Sequence, residues 1–185
     1  MHKIVGVLGM KTSKDMYKYG VYLFAILLFM LHFIRVFDNV FWADEGIAIK
    51  AARMDWNAML NWVAINGHSP LHYILIWCVC HVFGYSGEIY HLVSILAYFT
   101  IMLVSCTYVR NRFGNIAATM LMVAASLLNH SIVYSVEVRM YTWCQLFIFL
   151  FYLVSERAIT ERKISNYVLL TIFGVCAAYS HYFAL

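Results

Sequence analysis

The chain has 185 residues, 64% of them hydrophobic and only 12% charged, with 13 Lys+Arg against 9 Asp+Glu and a mean hydropathy of +0.76. A water-soluble domain does not carry that much apolar sequence on so few charges, which points to an all-α integral membrane protein with several spans. The net charge of +4 is modest and clustered, so a nucleic-acid-binding surface is not expected.

Lys3, Lys11, Lys14 and Lys18 precede the first apolar run, 20–37, and read as its cytoplasmic flank. The run is long for the core of a secretory signal, and no small-residue cleavage site follows it. An uncleaved anchor is therefore expected. Further apolar runs lie at 70–83, 89–109, 115–133, 142–154 and 167–185. A helix needs about 20 apolar residues to cross the bilayer core, and the run at 70–83 is short and carries His72 and His81.

Positive charge decides which runs cross. If all six did, Arg110, Arg112, Arg157, Arg162 and Lys163 would lie on the face opposite the N-terminal lysines. If 70–83 dips in or lies along the surface, every basic cluster shares one face, as the positive-inside rule prefers. The expectation is five transmembrane helices with short juxtamembrane or re-entrant helices in the first outer loop. In this reading 1–185 is a single membrane domain, and 38–84 is an extracytoplasmic loop with interfacial helices.

Within that loop, Asp44 can start one helix and Asp55 another, the second with Trp56, Met59, Leu60 and Val63 as its apolar stripe. Ser69-Pro70 reads as an N-cap and first helical residue. The final apolar run stops at SHYFAL without a polar tail, as expected of the N-terminal part of a longer protein. Cys78, Cys106, Cys144 and Cys176 fall inside apolar runs, and Cys78-Val-Cys80 is not a CxxC, so neither a disulfide framework nor a zinc site is expected. Asn129-His130-Ser131 is formally a glycosylation sequon, but it ends an apolar run.

The assigned sidedness gathers four polar patches on the outer face: FWADEG (41–46), NGHSPLHY (66–73), YSVEVRMY (134–141) and SHYFAL (180–185). Asp44 and Glu45 are adjacent carboxylates, suited to general-base work when desolvation tunes one of them. The competing reading is an N-cap aspartate with a solvated first-turn glutamate. Arg139 can hold a phosphate oxygen and Glu137 can orient it, or both can sit exposed at a span boundary. On a continuous helix Tyr134, Glu137 and Tyr141 share a face while Arg139 points elsewhere, so both charges turn inward only if the helix breaks. Arg35 reads as a snorkelling side chain. His68, His72 and His181 can bind sugar oxygens, phosphate or metal. No metal spacing is present, because Pro70 interrupts His68-x3-His72.

Taken in order, ADEG (43–46), HSPLHY (68–73), the basic turn RNRFG (110–114), YSVEVRMY (134–141) and SHYF (180–183) resemble the N-terminal half of the C-type membrane glycosyltransferases. The pattern is most similar to the branch of protein O-mannosyltransferase relatives and lipopolysaccharide galacturonosyl- and aminoarabinose transferases. The resemblance implies a multi-pass enzyme that transfers a sugar, with inversion, from a polyprenyl-phosphate-linked donor to a lipid, glycan or protein acceptor on the extracytoplasmic face. The N-terminus is then cytoplasmic, and the membrane is the plasma (inner) membrane if the source is bacterial. By the resemblance, Asp44 with Glu45 carries the catalytic base, and His68, Glu137, Arg139, Tyr141 and His181 belong to the substrate pocket. The resemblance fixes no cofactor and leaves a divalent metal open. The alternative is a non-enzymatic multi-pass protein that binds or transports lipid-linked saccharide, or an inactive fragment. A purely structural subunit would instead show Asp44, Glu137 and Arg139 diverging.

Overall fold

The computed structural model describes residues 13–38, 40–128 and 130–184, with side chains described from Tyr19 onward. Lys3, Lys11 and the sequon's Asn129 lie outside the described residues, as do the side chains of Lys14 and Lys18. Every described element is helical. In order they are α1 (Ser13–Phe33), α2 (Ala43–Ala52), α3 (Trp56–Ile65), α4 (Pro70–Phe83), α5 (Gly87–Val104), α6 (Arg110–Leu127), α7 (Ser131–Tyr134), α8 (Tyr141–Glu161) and α9 (Ile164–Ser180). The segments Tyr19–Phe37, Gly87–Leu127 and Tyr141–Glu161 are long and apolar enough to cross a bilayer. Pro70–Phe83 and Ile164–Ser180 are shorter apolar helices.

The 41-residue segment Gly87–Leu127 is not one rod. Its chain passes through a π-helical stretch, Ser105–Val109, and then reverses at Gly114, where φ is 91° and ψ is 171°. That conformation is essentially restricted to glycine, since a Cβ would clash with the flanking backbone. The returning arm lies against the outgoing one. Tyr98 and Ser126 join hydroxyls at 2.6 Å, and Val109 packs with Ala118. The expected basic turn is therefore a helical hairpin tip.

Contacts sort the two ends of the bundle. At one end Arg110 stacks over Tyr22 (4.6 Å), Arg112 pairs with Glu156 (2.6 Å) and Arg157 lies over Tyr108. The Arg157–Lys163 loop is shorter than the sequence suggests: α8 continues to Glu161, and the chain turns at Arg162 in the left-handed region. At the other end lie the close of α1, the starts of α5 and α8, and the close of α9. The described basic clusters, Arg110/Arg112 and Arg157/Arg162/Lys163, and the four polar motifs thus occupy opposite ends.

Helix α4 has both ends at the motif end. In its first turn His72 touches the Val138 carbonyl, and its last residue joins the start of α5 through only Gly84–Ser86. Fourteen residues span about 21 Å, so α4 lies over the bundle end instead of traversing it. Ser69 is its N-cap and Pro70 its first residue, as expected, and Asp55 is the N-cap of α3. Trp77 donates to the Met54 carbonyl, fastening α4 to the α2–α3 corner. The core beneath this cap holds Ala48, Met59, Tyr73, Ile76 and Val138. A second core joins α1, α5, α6 and α8 through Leu28, Tyr98, Met102, Met122 and Leu146. Outward-facing Leu23, Ile26, Leu27 and Ile34 are exposed, as lipid-facing side chains are.

Candidate functional site

The site begins at the first turn of α2. The N-cap is Trp42, so Asp44 and Glu45 are the second and third helical residues, and Asp44 is not the N-cap. Glu45 is not solvated either; it is 2% exposed. Its Oε2 accepts the Trp42 N–H at 2.7 Å, and its Oε1 accepts the Val138 N–H at 2.8 Å across 93 positions of chain. Both oxygens are taken by backbone donors, so Glu45 clasps the α2 turn to the VEVR segment. The positive pole of α2 also favours its charge.

The VEVR segment is the helix break that inward-turning charges require. Between α7 and α8 the chain forms irregular turns, with the Arg139 N–H donating to the Glu137 carbonyl at 2.7 Å. Its buried peptide groups need partners from outside; His72, His91 and Ser94 supply some of them, while His32 holds the segment through a side chain. His32 at the end of α1 meets the Ser135 hydroxyl at 2.7 Å. His91 of α5 donates to the Val136 carbonyl, and His72 of α4 donates from Nε2 to the Val138 carbonyl. Ser94 donates to the Glu137 carbonyl. Sequence reasoning missed His32, His91 and Ser94. Their one signal is polar side chains in otherwise apolar helices, and hydropathy does not tell which loop such groups hold.

Arg139 is 8% exposed. One guanidinium nitrogen donates to the Asp44 carbonyl at 3.3 Å, and the other lies 3.8 Å from the Asp44 carboxylate. The group also stands 5.9 Å from the Tyr141 ring centroid, and its Nε has no protein partner. Asp44 keeps a 66% exposed side chain. A largely open carboxylate and a buried cation therefore converge, from residues 95 positions apart.

The remaining predicted residues arrange around this pair. His68 stacks on Trp62 with centroids 5.5 Å apart; burial and the nearby Arg139 hold its imidazole below its usual range, against the opposing pull of Asp44. His181 caps the end of α9, accepts the Phe183 N–H at 3.2 Å and lies 5.9 Å from Tyr141. Glu137 faces a narrow polar crevice of about 30 Å³ lined by Arg35, Asp38, Trp42, Glu45 and His91. One Glu137 oxygen is buried without a partner. Burial, then repulsion from Glu45, pushes its carboxyl above the usual range; Arg139 pulls the other way and Asp44 adds to the rise. Arg35 does not snorkel freely. It pairs with Asp38 at 3.2 Å and reaches the Ile132 carbonyl. His72 is enclosed in α4, and burial lowers it to about 4, so it is neutral.

Directly below Tyr141 an apolar groove of about 470 Å³ runs between α5, α6 and α8. Cys144, Gln145, Ile148 and Phe149 of α8 form one wall, and Leu121, Ala124 and Leu128 of α6 the other. Among the described residues, no group of three or more His, Cys, Asp or Glu side chains is arranged to hold a metal ion.

The family model for dolichyl-phosphate-mannose-protein mannosyltransferase matches residues 67–185. The chain belongs to this family. It is, in general terms, a membrane glycosyltransferase of the C type, and the family implies a lipid-linked sugar donor. The match takes in HSPLHY, YSVEVRMY and SHYF and begins after ADEG, so Asp44 and Glu45 join the site through the fold. No curated protein and no solved structure matches the chain.

Proposed function

We propose that this mannosyltransferase-family chain transfers a sugar, with inversion, from a polyprenyl-phosphate donor to an acceptor hydroxyl on the extracytoplasmic face. One observation carries the reading: the Asp44 carboxylate and the Arg139 guanidinium meet at 3.8 Å where an apolar groove reaches the polar end of the bundle. The prenyl tail lies in the groove beneath Tyr141, and the donor phosphate rises to Arg139. Being longer than a hydrogen bond, the Asp44–Arg139 contact yields readily to a phosphate that takes the cation.

Asp44, then released toward solvent, accepts the proton of the acceptor hydroxyl as its oxygen attacks the anomeric carbon. The bond to the phosphate breaks with its electron pair going to the phosphate, whose growing charge Arg139 stabilises. Glu45 and the histidines hold both groups in register. His68, Tyr141 and His181 border the sugar, and Glu137 supports the segment from its crevice. The positive-inside pattern supports placing the basic end in the cytoplasm, with five spanning segments. The motif order favours the branch that includes lipopolysaccharide galacturonosyl- and aminoarabinose transferases.

The test is transfer from labelled polyprenyl-phosphate sugars by the complete gene product in liposomes. Wild type should label an acceptor, whereas Asp44→Asn should bind donor and transfer it about 10²–10⁴-fold more slowly. Normal turnover by Asp44→Asn would remove Asp44 as the base, and a wild type that binds donor without transfer would favour a lipid-saccharide binder.

A further inference from the structure

Another apolar groove, of about 350 Å³, lies between α1 and α5. Its floor is Ala25 and Met102, both buried. Ala25 is small, and so leaves a depression between the Tyr22 and Phe29 side chains one turn to either side. At the deep end the Phe29 and Phe99 rings meet edge to face, with centroids 5.2 Å apart. The groove runs from Tyr22 to Met30, about 12 Å of helix. That is most of the depth of one leaflet, half of a hydrocarbon core about 30 Å thick.

Its other end opens at the basic end of the bundle, where the Arg110 guanidinium lies 4.6 Å over the ring of Tyr22, a lining residue. Arg110 differs from its basic neighbours. Arg112 pairs with Glu156, and Arg157 and Lys163 both pair with Glu161. Among the described residues no carboxylate pairs with Arg110. One of its terminal nitrogens donates to the Asn111 side-chain oxygen at 2.9 Å, and the other is buried without an acceptor. A buried charged donor without an acceptor is costly, and the protein presents none here. The charge around it is one-sided: Arg110, Arg112, Arg157, Arg162 and Lys163 face only Glu156 and Glu161.

We propose that the groove and Arg110 form a binding site for an anionic glycerophospholipid from the leaflet at the basic end. The lipid phosphate takes the guanidinium and one acyl chain lies along α1. Basic pockets between membrane helices hold anionic headgroups, and a guanidinium meets phosphate oxygens with parallel hydrogen bonds. A turn of the flexible Arg110 stem brings its unpartnered nitrogen to the phosphate. The excess of positive charge disfavours the ammonium of a zwitterionic headgroup. Ile26, Phe99 and Leu103 are exposed on the groove's rim, so a tail enters sideways from the bilayer. The bound lipid fastens α1 to α5. This site lies at the opposite end from Asp44 and Arg139 and stands whether or not the chain transfers a sugar.

The experiment is native mass spectrometry of the full chain released from nanodiscs of equal phosphatidylglycerol and phosphatidylcholine. Wild type should retain one phosphatidylglycerol. Arg110→Gln should retain it about tenfold less, as expected for loss of a charge-assisted hydrogen bond. Leu103→Trp, which fills the groove from its half-exposed wall, should lose it as well. Arg112→Gln removes the same charge from a residue already paired with Glu156 and should retain the lipid as wild type does. Phosphatidylglycerol should also raise the unfolding midpoint of wild type and leave that of Arg110→Gln unchanged. Full retention by Arg110→Gln or Leu103→Trp, an equal loss in Arg112→Gln, or equal retention of phosphatidylcholine by wild type would each overturn the site. Displacement of phosphatidylglycerol by an equal concentration of polyprenyl phosphate would assign the groove to a prenyl carrier and overturn it too.

Discussion

Adjacent carboxylates with opposite duties make the sharpest test of the site. Glu45 is buried and gives both oxygens to backbone N–H groups, whereas Asp44 is 66% exposed and pairs with Arg139. In Glu45→Gln the amide oxygen can stay on the Val138 N–H and turn its NH₂ toward Trp42, which is exposed enough for water to replace the lost bond. The cost is about 2 kcal/mol, the weight of one charge-assisted hydrogen bond. Glu45→Ala also strands the buried Val138 donor, so its cost rises to about 4 kcal/mol, roughly a 10 °C fall in unfolding midpoint for a chain of this size. Asp44→Asn removes an ion pair whose carboxylate is largely exposed and whose 3.8 Å contact is loose, worth about 1 kcal/mol, yet it should lower turnover by about 10²–10⁴-fold through loss of the base. Thermal unfolding in detergent, read beside transfer on the same preparations, separates the two effects. Glu45→Ala unfolding at the wild-type midpoint would refute the clasp, and a large stability loss in Asp44→Asn would refute the division of duties.

Arg139→Lys should retain the fold but lower turnover about 10²-fold, because an ammonium cannot replace the planar fork at a developing phosphate charge; kinetics with saturating donor measure it. Ala124→Trp fills the groove beneath Tyr141 and should raise KM for long-chain donors while leaving a short prenyl donor unaffected. Glu137 has a folded-state carboxyl shifted upward, so burial penalises its ionised form. The associated stability is complete below the ordinary carboxylate range and is lost as pH rises through the shifted value. Glu137→Gln should therefore unfold at a higher temperature than wild type at neutral pH, with the difference closing in acid. Gly114→Ala meets no neighbouring atom within 4 Å, so its cost is backbone strain alone, about 1–3 kcal/mol, visible as a lower unfolding midpoint.

Hydropathy and charge made the helical membrane class and the separation of basic from polar ends legible, because each acts through local composition. The short run carrying His72 and His81, weighed against the positions of Arg110 and Arg157, is the ground for expecting that 70–83 does not cross the bilayer. Motif order puts Asp44 and Arg139 forward as candidate base and candidate phosphate contact, and the fold places them 3.8 Å apart. Only the tertiary structure separated Asp44 from Glu45, since two neighbouring carboxylates read alike until one of them meets Val138 from 93 positions away. It alone moved the N-cap to Trp42, paired Arg35 with Asp38, turned Glu137 into a narrow crevice and brought His32, His72 and His91 around one broken stretch of backbone. A hydrogen bond is decided by a few tenths of an ångström between groups distant along the chain, and no pattern of neighbouring residues encodes that distance.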